Sequence, residues 1–136
     1  MNDEQSKRLA EAAEAVLRAS DALDEVRAAL ADKRFESDQE RMRLQAAQQV
    51  VSRLDAAGKR VDDGLRKAAV ACAALGRDGA YARFREARGT LQQGQTAASS
   101  VMNEDGIAAK RAKAEEALGL LESAVAGAAS LVFGDA

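Results

Sequence analysis

The sequence predicts an all-α fold, a four-helix up-down-up-down bundle with coiled-coil-like heptad packing. Three observations lead there. No proline occurs in 136 residues, where an ordinary chain carries about 5%. Ala, Leu, Glu, Gln, Lys and Arg dominate, and these lose least on entering a helix. The apolar residues also recur in heptads. Aromatics are confined to Phe35, Tyr81, Phe84 and Phe133. A core of Ala, Leu and Val is thin, so its helices must approach closely.

The first helix is expected over about residues 3–32. Leu9, Val16, Leu23 and Leu30 form one row at seven-residue spacing, with Ala12, Ala19 and Val26 interleaved. Asn2 can cap its start, with Gln5 three residues on completing a capping box. Glu4–Arg8 and Glu14–Arg18 place an acid four residues before a base, the favoured order. The second helix is expected over about 38–75. Leu44, Val51, Gly58, Leu65 and Cys72 form one row, and Ala47, Leu54, Val61, Ala68 and Leu75 the other.

These two segments share one heptad phase, so a long antiparallel hairpin with a continuous helix over 3–75 is the alternative. Against it, three successive seam positions, Lys33, Ser37 and Glu40, are polar. Ser37 and Glu40 also spell a capping box, Ser-x-x-Glu, which marks a helix start. A break near 32–37 is favoured.

The turn "GRDG", residues 76–79, separates the second and third helices, with Gly76 suited to the position just past a helix end. The third helix, about 80–102, runs on Ala80, Phe84, Ala87, Leu91, Gly94, Ala98 and Val101. Its phase is lost at "NEDG", residues 103–106. The fourth, about 105–133, carries Ile107, Ala114, Leu121 and Ala128 in one row. Arg111 opens the other, followed by Leu118, Val125 and Val132.

Composition argues against catalysis. The chain has no histidine, the commonest general base near neutral pH, and hence no Glu-x-x-His metal pair of the kind bundles use. A single cysteine makes neither an internal disulfide nor a structural zinc site. No Gly-rich phosphate loop with a following Lys and no Gly-x-Ser-x-Gly elbow is present. The expectation is a non-enzyme without cofactor or metal. Net charge is −2, so no strong overall field draws nucleic acid or anionic lipid. The polar N-terminal stretch has no apolar signal region, which predicts a cytoplasmic chain with signal-independent export left open. The Ala and Arg bias points to a GC-rich bacterial genome.

Several constellations invite a functional reading. Small residues at seam positions include Gly58 and Gly94, and a helix-interior Gly costs about 0.8–1 kcal/mol relative to Ala. They mark close backbone approaches, as a tight core or an oligomer seam needs. Cys72 falls on the row with Leu65 and reads as a small apolar seam residue rather than a redox thiol. "RDGAYARFREAR" gathers Arg77, Arg83, Arg85 and Arg88 around Tyr81 and Phe84, a weak single-strand nucleic-acid signature. The structural alternative is preferred: Phe84 packs in the seam and Tyr81 stacks on Arg85. Nucleic acid is therefore the disfavoured partner.

The closing stretch, "SAVAGAASLVFGDA", is the least polar. Glu122 is the one charge between Ala117 and Gly134. The run is about 17 residues, short of the roughly 20 of a membrane span, and lacks flanking basic anchors. No span is expected. The positions read as outward-facing, Leu120, Ala124, Leu131 and Phe133, would stay exposed in a lone bundle and are the predicted anchors for a protein partner or a second copy. In composition the chain resembles helical proteins associated with bacterial secretion machines. That resemblance carries over no residues; it implies a subunit, accessory or chaperone of a secretion or phage apparatus. A lipid- or granule-surface protein that lays opened amphipathic helices on an interface is the alternative from another class.

Overall fold

The computed structural model describes residues 1–134; Asp135 and Ala136, the end of the apolar closing stretch, lie outside the described residues. Four helices, α1 (Asp3–Leu30), α2 (Glu40–Leu75), α3 (Ala80–Ser99) and α4 (Ile107–Phe133), form a bundle, with no strand among the described residues. Short 3-10 turns, Lys33–Glu36 and Val101–Asn103, interrupt the first and third connections. A continuous helix from 3 to 75 is therefore ruled out.

Local chemistry explains the start of α1 and the end of α2. The Asn2 side chain accepts from the Gln5 N–H at 2.8 Å and the Gln5 side chain accepts from the Asn2 N–H at 2.9 Å. This capping box satisfies donors that the first helical turn leaves free. Gly76 closes α2 at φ +63°, a left-handed conformation that costs glycine nothing.

The break after α1 has a different cause from the one the sequence suggested. Ser37 and Glu40 form no capping box; α2 begins at Glu40 without a side-chain cap, and the Ser37 hydroxyl only accepts from the Gln39 N–H. A local cap by Asp32 and tertiary contacts of the residues after it hold the chain out of helix instead. Asp32 accepts from the Arg34 N–H at 2.9 Å and from its guanidinium, which also donates to Gln49 of α2 at 2.5 Å. Phe35 is buried between these contacts and the core.

The Arg34 guanidinium and N–H hold the Asp32 carboxyl below the usual aspartate value. A depressed folded-state pKa contributes stability that is present above the unfolded value, about 3.9, and is lost as pH falls through the folded value. Carboxylate NMR should show Asp32 titrating below that ordinary value. Asp32→Asn should remove this part of the acid dependence; an unshifted titration would contradict the clip.

The helices pack as two hairpins. Gln5 reaches Ala74 and Gly64 lies on the Ala15 backbone, so α1 and α2 run in opposite directions. Gly94 faces Leu121 and Ala87 faces Gly127, so α3 and α4 do too. Helices α2 and α4 meet across the middle and each packs on all three others, while α1 and α3 flank them. This decides how much of each helix is covered. Besides the two rows seen in the sequence, α2 buries Val50, Ala57, Gly64 and Ala71, and α4 buries Ala117, Ala124 and Leu131. No polar or charged residue is buried among the described residues.

Small residues serve the predicted close approach, but not always at the predicted place. A Cβ on Gly94 would lie 3.0 Å from Leu121 Cδ2 and 3.1 Å from Leu120 Cβ. Gly58 is buried, yet its Cβ would meet only the flexible Gln95 side chain at 3.3 Å. The backbone approach between α1 and α2 falls six residues later, off the Gly58 row: Gly64 would put a Cβ 3.3 Å from the Ala15 carbonyl oxygen.

Candidate interaction surfaces

Arg77, just past α2, donates to the carbonyl oxygens of Leu131 at 2.6 Å and Val132 at 3.2 Å. The last carbonyls of a helix have no partner within it and carry its negative dipole end, so a guanidinium fits both needs. The buried Cys72 thiol donates to the same Leu131 oxygen at 2.9 Å. Cys72 thus joins α2 to α4 as a seam residue. At the other end Arg111 of α4 does the same for α1. It donates to the Leu30 carbonyl at 3.0 Å and stacks over the Phe35 ring at 5.1 Å. Its place at the head of an apolar row was the only sequence signal for this role. Arg27 reaches from α1 to Glu122 of α4 at 3.0 Å, which raises the Arg27 pKa chiefly through that hydrogen bond.

This arrangement separates the residues read as partner anchors. Ala124 and Leu131 are corrected: both are buried inside the chain's own core. They belong to the third row that α4 needs because it touches three helices rather than two. Leu120 is half-buried and Phe133 is 63% exposed, and the two lie in different regions of α4.

Leu120 lines an open groove of about 660 Å³ between α3 and α4. Gln92, Gln93 and Thr96 form its α3 wall; Lys113 and Glu116, paired at 3.0 Å, stand on the α4 side. Gly89 lies at its edge, in mid-helix, with nothing within 4 Å of where a Cβ would be.

The arginine cluster is likewise divided. Arg77 is committed to the end of α4, and Arg85 lies over the Tyr81 ring, 5.8 Å from its centroid. Arg83 is half-buried, while Arg88 and Tyr81 are exposed. The five residues therefore do not form one basic strip.

By length and composition α4 is apolar enough to cross a membrane, which a count of the uncharged run alone had put out of reach. In the fold 44% of its most apolar window is buried. The same composition serves a helix covered on three sides. Among the described residues no group of three His, Cys, Asp or Glu side chains is placed to hold a metal ion. Comparison with known proteins finds no matching family model, no matching characterised protein and no matching solved structure.

Proposed function

We propose that this chain is a non-enzymatic interaction protein that docks a second helix, from another copy or from a protein partner, in the α3–α4 groove. The observation that supports it most is the uncharged wall of that groove. Residues 89–103 contain no charged side chain in a chain that is 31% charged. Interface cores are depleted of charge because burying an ion is costly. Leu120 offers an apolar anchor beside this wall, and Gly89 offers close backbone access with no partner inside the chain. Two copies can bring such faces together without like-charge repulsion. A role as a subunit or accessory of a secretion or phage apparatus is in keeping with the composition.

Sedimentation at micromolar concentration tests the self-docking form, with a dimer expected. Leu120→Glu should shift it towards monomer while leaving the thermal transition close to that of the parent, because Leu120 is already half-exposed. A parent chain that sediments as a monomer, with the same behaviour in the variant, would refute self-docking.

A further inference from the structure

One end of the bundle gathers most of the apolar side chains that the fold leaves uncovered. The start of α1, the end of α2, the start of α3 and the end of α4 meet there: Gln5 donates to the Ala74 carbonyl, and Cys72 and Arg77 to that of Leu131. Among the described residues five large hydrophobic side chains are exposed, and Met1, Val70, Tyr81 and Phe133 belong to this end. Tyr81 is 72% and Phe133 63% exposed. They come from four different parts of the chain and crown the end rather than line a groove.

The same end is basic. Residues 77–88 hold four arginines against Asp78 and Glu86; at the start of α1 Lys7 and Arg8 offset Asp3 and Glu4, and Asp135 follows α4 in sequence, so the basic excess of this end comes from α3. Tyr81, Arg85 and Arg88 follow at i, i+4 and i+7, one face of α3, and all three are exposed. Helix α4 contributes no charge after Glu122.

We propose that this end of the intact bundle docks on the surface of an anionic phospholipid bilayer. Tyr81 and Phe133 enter the boundary between headgroups and acyl chains, where amphipathic and aromatic side chains are favoured. Arg85 and Arg88 lay their stems along that boundary and bring their guanidinium groups to lipid phosphates. Charge selects this occupant over the alternatives. A second copy meeting end to end would set arginine against arginine. A nucleic-acid strand needs basic side chains along its track, whereas α3 is uncharged from Gly89 onward. The contact is separate from the α3–α4 groove, so its failure leaves the docking of a helix there untouched.

The chain supplies two native probes: one tyrosine with no tryptophan, and one cysteine, which is buried. Vesicles of phosphatidylglycerol with brominated phosphatidylcholine should quench Tyr81 emission, and added salt should reverse it as screening rises. Vesicles of brominated phosphatidylcholine alone should quench far less. Phe133→Ser should weaken the partitioning by about tenfold, the order expected for losing one buried aromatic. Arg85→Glu with Arg88→Glu should abolish preference for anionic vesicles. Both sets alter exposed side chains, and unchanged helical circular dichroism checks their folding. Throughout, Cys72 should stay unreactive to a thiol reagent. Absence of quenching, equal quenching by both vesicles, or full binding by the variants would overturn the proposal. So would lipid-induced Cys72 labelling, which means that the bundle opens onto the lipid. Quenching of Tyr81 by a single-stranded oligonucleotide but not by vesicles would overturn it in favour of nucleic acid.

Discussion

Leu121→Ala should lower the unfolding free energy by about 2–5 kcal/mol, the range for truncating a fully buried leucine. Leu121 has no exposed surface and stands where α4 meets Gly94 of α3. The cost depends on how far neighbours can collapse into the space. Here Ala114 and Ala128 flank it on the same row, and Gly94 faces it. Short side chains have no rotamers with which to fill a hole, so whole helices would have to move. Urea denaturation of parent and variant measures the difference. A loss below about 1 kcal/mol would mean that α3 slides in to close the cavity. Gly94→Ala offers a second check, since its methyl would press on Leu121 Cδ2 at 3.0 Å. Its penalty should shrink when Leu121 is already Ala, giving a measurable coupling between the two sites. The recovery should be partial, because Leu120 Cβ at 3.1 Å remains in the way.

Gly127→Val should destabilise the chain by about 1–3 kcal/mol through overpacking, or more if the helices cannot separate. A Cβ on Gly127 would lie 2.8 Å from Ala87 Cβ, well inside van der Waals contact. Neither partner is a flexible chain end: Ala87 has nothing beyond its Cβ and can yield only by moving α3. Gly119, two turns earlier on the same helix, gives the control, for nothing lies within 4 Å of its Cβ position. Gly119→Ala should raise stability by about 0.5–1 kcal/mol, the helix propensity difference alone. Opposite signs at the two glycines, read from the same denaturation curves, would establish that α3–α4 contact rather than backbone freedom selects Gly127. Equal signs would rule out the close crossing.

The heptad rows told where most of the core lies, but not its width. Val16, Leu23, Leu54, Val61, Leu65, Leu91 and Leu121 were all readable from spacing, and all are buried. Leu9, Leu44, Val51 and Val125 occupy the same rows yet are half-buried. The break between α1 and α2 was visible in the polar seam positions Lys33, Ser37 and Glu40. Its cause was not, because Arg34 meets Gln49 and Phe35 meets Arg111 only once the hairpin has formed. Ser37 illustrates the limit: a capping motif offers a local hydrogen bond, and the folded chain used other contacts instead. Arg77 and Arg111 were visible in the sequence, as part of an arginine cluster and as the head of an apolar row, but their helix-capping role was not, for a related reason. Each serves the end of a helix more than 50 residues away in sequence.

By itself, the sequence determined the all-helical class, the four segments, the cap at Asn2, the turn at Gly76 and most, but not all, of the core side of each helix. These depend on interactions within a turn or two, which spacing records directly. Only the tertiary structure decided that Ala124 and Leu131 are core, that Leu120 borders a groove, and that Tyr81 and Phe133 share one end. A helical row records how apolar a face is, not how many neighbours cover it. That number was set by the meeting of α2 and α4 across the middle of the bundle, a lateral choice that no single helix encodes.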